Sequence, residues 1–250
     1  MKVHAICCEI IYREACLAAA ESPLVVDLEF LRKGLHDIGD EKMRARLQEA
    51  VDAVDPDVYD ATVLGYGLCN NGTAGLVATR TKLVLPRAHD CITFFMGSRE
   101  RYREYFDAHP GTYFRTTGWS ERGSDREDED LHDQLGTNRT WAEYVEKYGE
   151  DNAKYIMDAL GGWKSAYSQM TYIDMGLPPD DVYAQHARAE ADQNGWTFDR
   201  IEGDWSLLRG LFAGTWPDET FLTVETGGVV ETSFDDCIFR CGTADSEPTT

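Results

Sequence analysis

The sequence predicts an α/β fold, with a doubly wound, mostly parallel sheet that carries helices on both faces in the manner of a Rossmann fold. Short apolar runs, β-branched or leucine-rich, alternate with helical stretches along both halves of the chain. The early runs end abruptly at turn residues, as buried parallel strands do. A length of 250 residues is enough for one large core or two small ones.

The first half of the chain contains most of the predicted strands. The run 61–64 is followed by the run 82–85, and the stretch 73–80 between them is just long enough for a two-turn helix. Such a crossover would make the two strands a parallel pair. The other predicted elements of this half are strands at 2–6, 24–31 and 112–116 and helices at 10–20, 41–54 and 91–107.

The second half repeats the alternation after a different kind of segment. Residues 118–139 are dense in charge and poor in apolar side chains, which indicates an exposed excursion or lid. Helical spacing returns over 141–163. A second predicted helix begins at Pro178 and ends at Asn194, with Gly195 as its C′ residue. Strands are predicted at 172–175, 196–201 and 221–224, with a helix at 204–212.

We therefore divide the chain into four parts by composition and pattern. Residues 1–117 form an N-terminal α/β half, 118–139 the charged excursion or lid, 140–242 a C-terminal α/β half, and 243–250 a disordered tail.

Charge and hydropathy exclude some classes of partner. A formal net charge of −21 and a pI near 4.5 leave no basic face for nucleic acid. No apolar run approaches the roughly 20 residues of a membrane span, and the chain starts directly with a strand where a signal peptide would have an apolar core. We expect a cytoplasmic protein, in which thiols stay reduced. Its seven cysteines then favour metal or redox use over disulfide bonds.

Three cysteines follow three different predicted strands. Cys8, Cys69 and Cys91 each lie just past a strand, so parallel strands would bring their thiols to one edge of the sheet. With His36 or His89 they form a Cys₃His set that suits zinc, and three cysteines suit an iron–sulfur cluster equally well. Catalytic or redox thiols without a metal, and small thiols buried at tight turns, are the alternatives.

Other residues of the same loops are candidates for contact with a cofactor or substrate. Tyr66, Gly67, Asn70 and Arg87 are expected at the site, although the glycine spacing matches neither GxGxxG nor the Walker pattern. The candidates for proton transfer are Glu9, His89 and Asp90, with a helix cap and a solvated turn as the simpler interpretations. Cys7 should face the core, and Cys16 should pack in the core. Cys237 and Cys241, at i, i+4, could chelate or pair but are expected to be incidental thiols.

The chain resembles a family catalogued only as a domain of unknown function, number 1638. The likeness lies in CCEIIYREAC, FLRKGLHDIG, LGYGLCNNGTAGL, LPRAHDCITFFMGSRERY and PGTYFRTTGW, and GLFAGTWPDETFLTVETGG also fits. The paired Cys7 departs from the pattern. The resemblance implies a genomic setting beside corrinoid-dependent methyltransferases. It places the motif blocks on Cys8, Glu9, His36, Tyr66, Cys69, Arg87, His89, Asp90 and Cys91.

Together these observations predict a metal-dependent enzyme, with zinc as the metal, that acts in one-carbon or methyl-group metabolism, for example as a transferase. Zinc would act as a Lewis acid or activate a thiol or water. The alternative is a non-catalytic accessory protein that binds a corrinoid, a metal or an iron–sulfur cluster for a methyltransferase. The expected partners are a small-molecule substrate or cofactor and a corrinoid methyltransferase protein, without nucleic acid or membrane.

Overall fold

The structure is a computed structural model that describes residues 1–122, 145–146, 149–150, 166–233 and 235–243. Its largest sheet has five strands in the order β2–β1–β3–β4–β8. Four neighbouring strands are parallel and β8 is antiparallel to β4. The strands are β1 (Lys2–Cys8), β2 (Val25–Leu31), β3 (Ala61–Gly65), β4 (Lys82–Pro86) and β8 (Phe221–Val224).

The strands at the centre of this sheet are covered on both faces. Every residue of β3 and all of β4 after Lys82 are buried, which explains why these runs are continuously apolar instead of alternating. The strand order reverses direction at β1, because the chain places β2 on one side of it and β3 on the other. The four parallel strands therefore all end at one edge of the sheet.

Helices and short 3-10 turns follow these strands. A 3-10 turn, Glu9–Ile11, leads from β1 into α1 (Tyr12–Ala20), and a second, Leu35–Ile38, follows β2 and precedes α2 (Asp40–Asp52). The helix predicted over 91–107 is two helices, because Gly97 with φ 80° ends the first. These are α3 (Cys91–Met96) and α4 (Arg99–Ala108), and α5 (Thr117–Glu121) comes later.

A separate three-stranded parallel sheet has the order β5–β6–β7, with β5 (Thr112–Arg115), β6 (Gln169–Asp174) and β7 (Thr197–Glu202). The helix α6 (Val182–Asn194) packs on it through three buried alanines and ends, as predicted, at Gly195 in a left-handed conformation. A short helix, α7 (Ser206–Leu211), follows. The predicted α/β class is confirmed, with a mostly parallel five-stranded sheet, but the strands of the described residues are divided among separate sheets.

The helix predicted at 73–80 is wrong. This crossover is a turn followed by extended chain, and its backbone pairs with a hairpin of β9 (Gly228–Thr232) and β10 (Phe239–Thr243) that the sequence did not reveal. Gly75 N donates to Val230 O at 2.7 Å, and Val230 N donates to Leu76 O at 2.8 Å. These hydrogen bonds replace those of a helix, and Gly75 has φ 84°.

The sheets do not follow the division of the chain at residue 117. β8 completes the first sheet, and β5 belongs to the second. Gly118–Glu121, predicted as the start of the charged excursion, belongs to α5. The rest of that excursion beyond residue 122, almost all of the predicted 141–163 helix and the tail from 244 lie outside the described residues. Among the helices described, none is long and apolar enough to cross a membrane.

Candidate functional site

A small, mostly apolar cavity lies at the edge where the four parallel strands end, and the three predicted thiols line it. Cys8 is the last residue of β1, Cys69 lies in the loop after β3, and Cys91 begins α3 after β4. The free space is about 20 Å³, enough for about one water molecule or a single ion. Its wall is completed by Ile10, Lys33, Gly34, Leu35, His36, Met43, Gly65, Tyr66, Gly67 and Trp119.

Backbone hydrogen bonds hold the two cysteine loops against each other. Leu68 N donates to Ala88 O and Cys69 N to His89 O, both at 2.8 Å. Gly67 permits this approach, because a Cβ there would lie 2.8 Å from Ala88 O and 2.9 Å from the Asp90 nitrogen. The relative positions of the loops are therefore fixed by the main chain.

The Cys69 loop has an uncommon backbone conformation. Cys69, Asn70 and Asn71 have φ of 46°, 57° and 63°, and Gly72 N closes the turn on Cys69 O at 3.1 Å. Asparagine tolerates the left-handed region, but a cysteine there costs free energy, on the order of 1–2 kcal/mol. Non-glycine residues in such conformations cluster at functional sites.

Burial keeps the three thiols neutral. It raises the pKa of Cys8 to about 11 and that of Cys69 to about 12, and it raises the pKa of Cys91 well above its usual range. Repulsion between thiolates adds to this, since Cys8 raises the pKa of Cys69, and both Cys8 and Cys69 raise the pKa of Cys91. The sulfurs are thus close enough to interact electrostatically.

The remaining wall provides one cation, a phenol and an imidazole. The Lys33 ammonium lies 5.3 Å from the centroid of the Trp119 ring, and the His36 ring meets the same indole edge-on at 6.3 Å. The Tyr66 hydroxyl is buried without a hydrogen-bond partner in the described part of the chain, although it is near enough to the Cys8 thiol to affect its pKa.

A family model described as a protein of unknown function, DUF1638, matches residues 30–212. The chain belongs to this family. The match contains His36, Cys69 and Cys91, whereas Cys8 precedes it. No curated protein and no solved structure matches this DUF1638 chain.

Several wall residues of this DUF1638 chain were not predicted from the sequence, among them Lys33, Met43 and Trp119. Lys33 lies in the same loop after β2 as His36, three residues earlier. The prediction that His36 lies at this edge of the sheet could therefore have been extended to Lys33. Met43 has helical spacing with other core residues of α2 and gives no sign of reaching a cavity. Trp119 arrives on α5, far along the chain, and the sequence pattern contains no indication of that contact.

The three predicted proton-transfer residues do not line the cavity. A Glu9 carboxylate oxygen accepts a hydrogen bond from Lys33 N at 3.2 Å. The His89 residue is exposed. Asp90 caps α3 by accepting from Ile92 N at 3.0 Å, and it accepts another hydrogen bond from the Tyr102 hydroxyl at 3.0 Å. Burial raises the pKa of this carboxyl.

Of the four predicted cofactor contacts, two lie on the wall and two lie elsewhere. Tyr66 and Gly67 line the cavity, whereas Asn70 is exposed in the left-handed turn. The Arg87 guanidinium donates to the carbonyls of Asp218, Cys237 and Phe239, with its Nη1 2.8 Å from Cys237 O. Arg87 therefore joins β4 to the hairpin that follows β8.

The other cysteines do not line the cavity. The core position predicted for Cys7 is confirmed, whereas Cys16, expected in the core, is only partly buried. Cys7 is fully buried in the core, Cys16 is half-buried on α1, and Cys237 and Cys241 are exposed. In the described residues no three His, Cys, Asp or Glu side chains are arranged so that they could hold a metal ion. Cys8, Cys69 and Cys91 therefore line one cavity without forming a metal site in their present arrangement.

Proposed function

We propose that this chain is a metal-dependent enzyme in which Cys8, Cys69 and Cys91 bind zinc, with His36 as the candidate for the fourth ligand. The observation that carries the proposal is the convergence of three thiols, each from a different strand end, on one ion-sized cavity. Metal binding would require the three thiols to rearrange, because the present arrangement of the described residues is not that of a metal site.

The position of the cavity in the sheet supports a ligand site. Open α/β sheets bind ligands outside the carboxyl ends of their strands, where the strand order reverses. Here that point lies between β1 and β3, and Cys8 and the Cys69 loop follow these two strands. The order β2–β1–β3–β4 is also the reason why we propose a Rossmann-like relationship for this sheet.

The donor set favours a thiophilic ion. Among the described residues, the ionisable groups on the wall are the three thiols, Tyr66, Lys33 and His36, without a carboxylate. Thiolate and imidazole ligands suit zinc, whereas carboxylates suit magnesium or calcium. Three thiolates with one divalent cation have a net charge of about −1, which the Lys33 ammonium would offset.

The size of the cavity supports a single metal ion over a larger cofactor. About 20 Å³ fits one ion, and a corrinoid ring or an iron–sulfur cluster would need a larger space. We therefore favour zinc over the accessory role in which the protein holds a corrinoid or a cluster. That role predicts a coloured protein, so the visible absorbance of the purified sample distinguishes the two.

For the reaction we propose methyl transfer, on the resemblance set out above. Bound zinc would supply Lewis acidity and lower the pKa of a thiol or water. The chain's own residues would then have separate tasks. Lys33 would balance negative charge at the opening of the cavity, the Tyr66 hydroxyl would donate a hydrogen bond to a sulfur, and Trp119 would exclude water.

Metal analysis of the anaerobically purified protein tests the proposal. We expect about one equivalent of zinc, lost in each of Cys8→Ser, Cys69→Ser and Cys91→Ser. The matched control is Cys237→Ser, which changes an exposed cysteine and should retain the metal. Less than about half an equivalent in the wild type would contradict the proposal.

Proton release provides a second readout that depends on the buried thiols. Because these thiols are neutral in the metal-free protein, zinc binding at pH 7.5 should release about three protons. Calorimetry in two buffers with different ionisation enthalpies measures this number. His36→Ala should weaken zinc binding more than His89→Ala, since only His36 lines the cavity. Release of no protons would exclude thiolate ligation.

A further inference from the structure

Glu14 is a buried carboxyl group that the thiol cavity does not use. It lies on α1 with 0% of its surface exposed, and neither carboxyl oxygen has a hydrogen-bond partner in the described part of the chain. A charged carboxylate in such a place would be strongly disfavoured, so the group is stable there only when it carries its proton.

The helix α5 connects this carboxyl to the cavity. Its Gly118 packs directly on the 3-10 turn that precedes α1, where a Cβ would collide with the Ile10 carbonyl oxygen. The next residue, Trp119, is part of the cavity wall. Any displacement of α5 from α1 therefore moves the indole that covers the thiols.

The groups around Glu14 come from three elements. Glu121 on α5 raises its pKa by repulsion, and the Glu121 carboxylate is held by the Arg13 guanidinium of α1, with 3.2 Å from Nη2 to Oε1. Tyr172 on β6 also interacts with Glu14, and its hydroxyl lies 2.9 Å from Thr117 Oγ1 of α5. Cys16, two residues further along α1, is also a titratable neighbour.

We propose that the proton on Glu14 controls the packing of α5, and through Trp119 the access of metal ions or ligands to the thiol cavity. With the proton in place, α5 lies closed on α1. Loss of the proton creates a buried negative charge that faces Glu121 across the helix interface. Opening of α5 lets water reach this charge. The control of metal access rests on the proposed function, whereas the pH-dependent movement of α5 is independent of it.

The direction of the pH dependence follows from the two states. Burial raises the pKa of Glu14 to about 7 in the closed state, and solvation would return it towards the ordinary value of 4.5 once α5 opens. A rise in pH therefore favours opening of α5. The effect begins above the open-state pKa of 4.5 and is complete above the closed-state pKa of about 7. Between pH 6 and pH 8.5 the opening equilibrium should increase about tenfold.

Hydrogen–deuterium exchange of the peptide that contains α5 measures this equilibrium. The amides of Ser120 and Arg122 donate to Thr116 O and Gly118 O, so their exchange reports the opening of the helix. After correction for intrinsic exchange rates, wild-type protection should fall about tenfold from pH 6 to pH 8.5. The peptide of the β9–β10 hairpin, which packs on β8 and on the crossover at 73–80, serves as internal control and should not change.

The variant Glu14→Gln keeps the shape of the side chain and removes its titration, so its α5 protection should not depend on pH. Glu14→Leu is the second variant, for use if the buried amide prevents folding, with the same expectation. Protection of wild-type α5 that is independent of pH, or variants that keep the wild-type dependence, would overturn the proposal.

Zinc uptake tests the connection to the cavity separately. The ratio of wild-type to Glu14→Gln uptake rates should rise about tenfold between pH 6 and pH 8.5, because thiol titration is common to both proteins and cancels. A constant ratio would overturn the connection. If zinc does not bind at all, the proposed function fails, while the exchange experiment still decides whether Glu14 controls α5.

Discussion

The substitution Gly67→Ala should destabilise the protein and weaken its metal site together. The added methyl group would lie 2.8 Å from Ala88 O and 2.9 Å from the Asp90 nitrogen, so the Cys69 and Cys91 loops must separate. Separation weakens the two 2.8 Å hydrogen bonds that Leu68 and Cys69 donate across the loops. Each contributes about 1 kcal/mol, and forced overpacking adds about 1–3 kcal/mol. We expect the free energy of unfolding to fall by about 3 kcal/mol.

Urea unfolding checks this value, with the slope expected to match that of the wild type. The matched control is Gly210→Ala, a glycine inside α7 whose added Cβ would meet only the Phe221 ring edge, at 3.1 and 3.3 Å. Alanine favours a helix by up to about 1 kcal/mol, which offsets this tight contact. Zinc content should fall in Gly67→Ala and remain in the control. A stability of Gly67→Ala within about 0.5 kcal/mol of the wild type would refute the role assigned to this close approach.

Three further measurements follow from the buried groups. Burial raises the pKa of Glu14 in the folded protein to about 7, above its ordinary value of 4.5. The contribution of this group to the free energy of unfolding is therefore largest below pH 4.5, and it should fall by up to about 3 kcal/mol as the pH rises beyond 7. Glu14→Gln should lack this loss in urea unfolding. Iodoacetamide at pH 7.5 should modify the exposed Cys237 and Cys241 much faster than Cys8, because a Cys8 thiol with a pKa of about 11 is rarely ionised. Mass spectrometry of peptides measures the rates, and equal rates would contradict the burial of Cys8. Tyr66→Phe removes a buried hydroxyl that has no hydrogen-bond partner among the described residues, so it should raise the stability of the metal-free protein by about 1 kcal/mol. A loss of that size would show that the hydroxyl is hydrogen-bonded.

The strands and the ends of several helices could be predicted because they depend on local pattern. Residues 61–64 and 82–85 are continuously apolar, which is typical of strands buried on both faces, and Gly195 marks the end of α6 by its left-handed conformation. The crossover at 73–80 could not be predicted, since its backbone is satisfied by a hairpin some 150 residues later in the chain. The local sequence alone allows a helix there, but hydrogen bonds to the distant hairpin override this weak local preference.

The candidate site divides in the same way. The cysteines at 8, 69 and 91 could be placed at one edge of a sheet because parallel strands end together, and side chains that follow those ends share that edge. The roles expected of His89, Asp90 and Arg87 rested on their closeness to Cys91 in sequence, but helix capping and hydrogen bonds to the hairpin hold Asp90 and Arg87 away from the cavity wall.

By itself the sequence determined the α/β class, the parallel strand ends and the three thiols that follow them, because these depend on side-chain periodicity and chain direction. Only the tertiary structure decided that α5 brings Trp119 to the cavity of those thiols and that Lys33 lines the same cavity. It also decided that Glu14 is buried near α5 with no hydrogen-bond partner among the described residues. The physical reason is that such contacts join elements distant in sequence, and their free energy comes from packing and desolvation that no local pattern records.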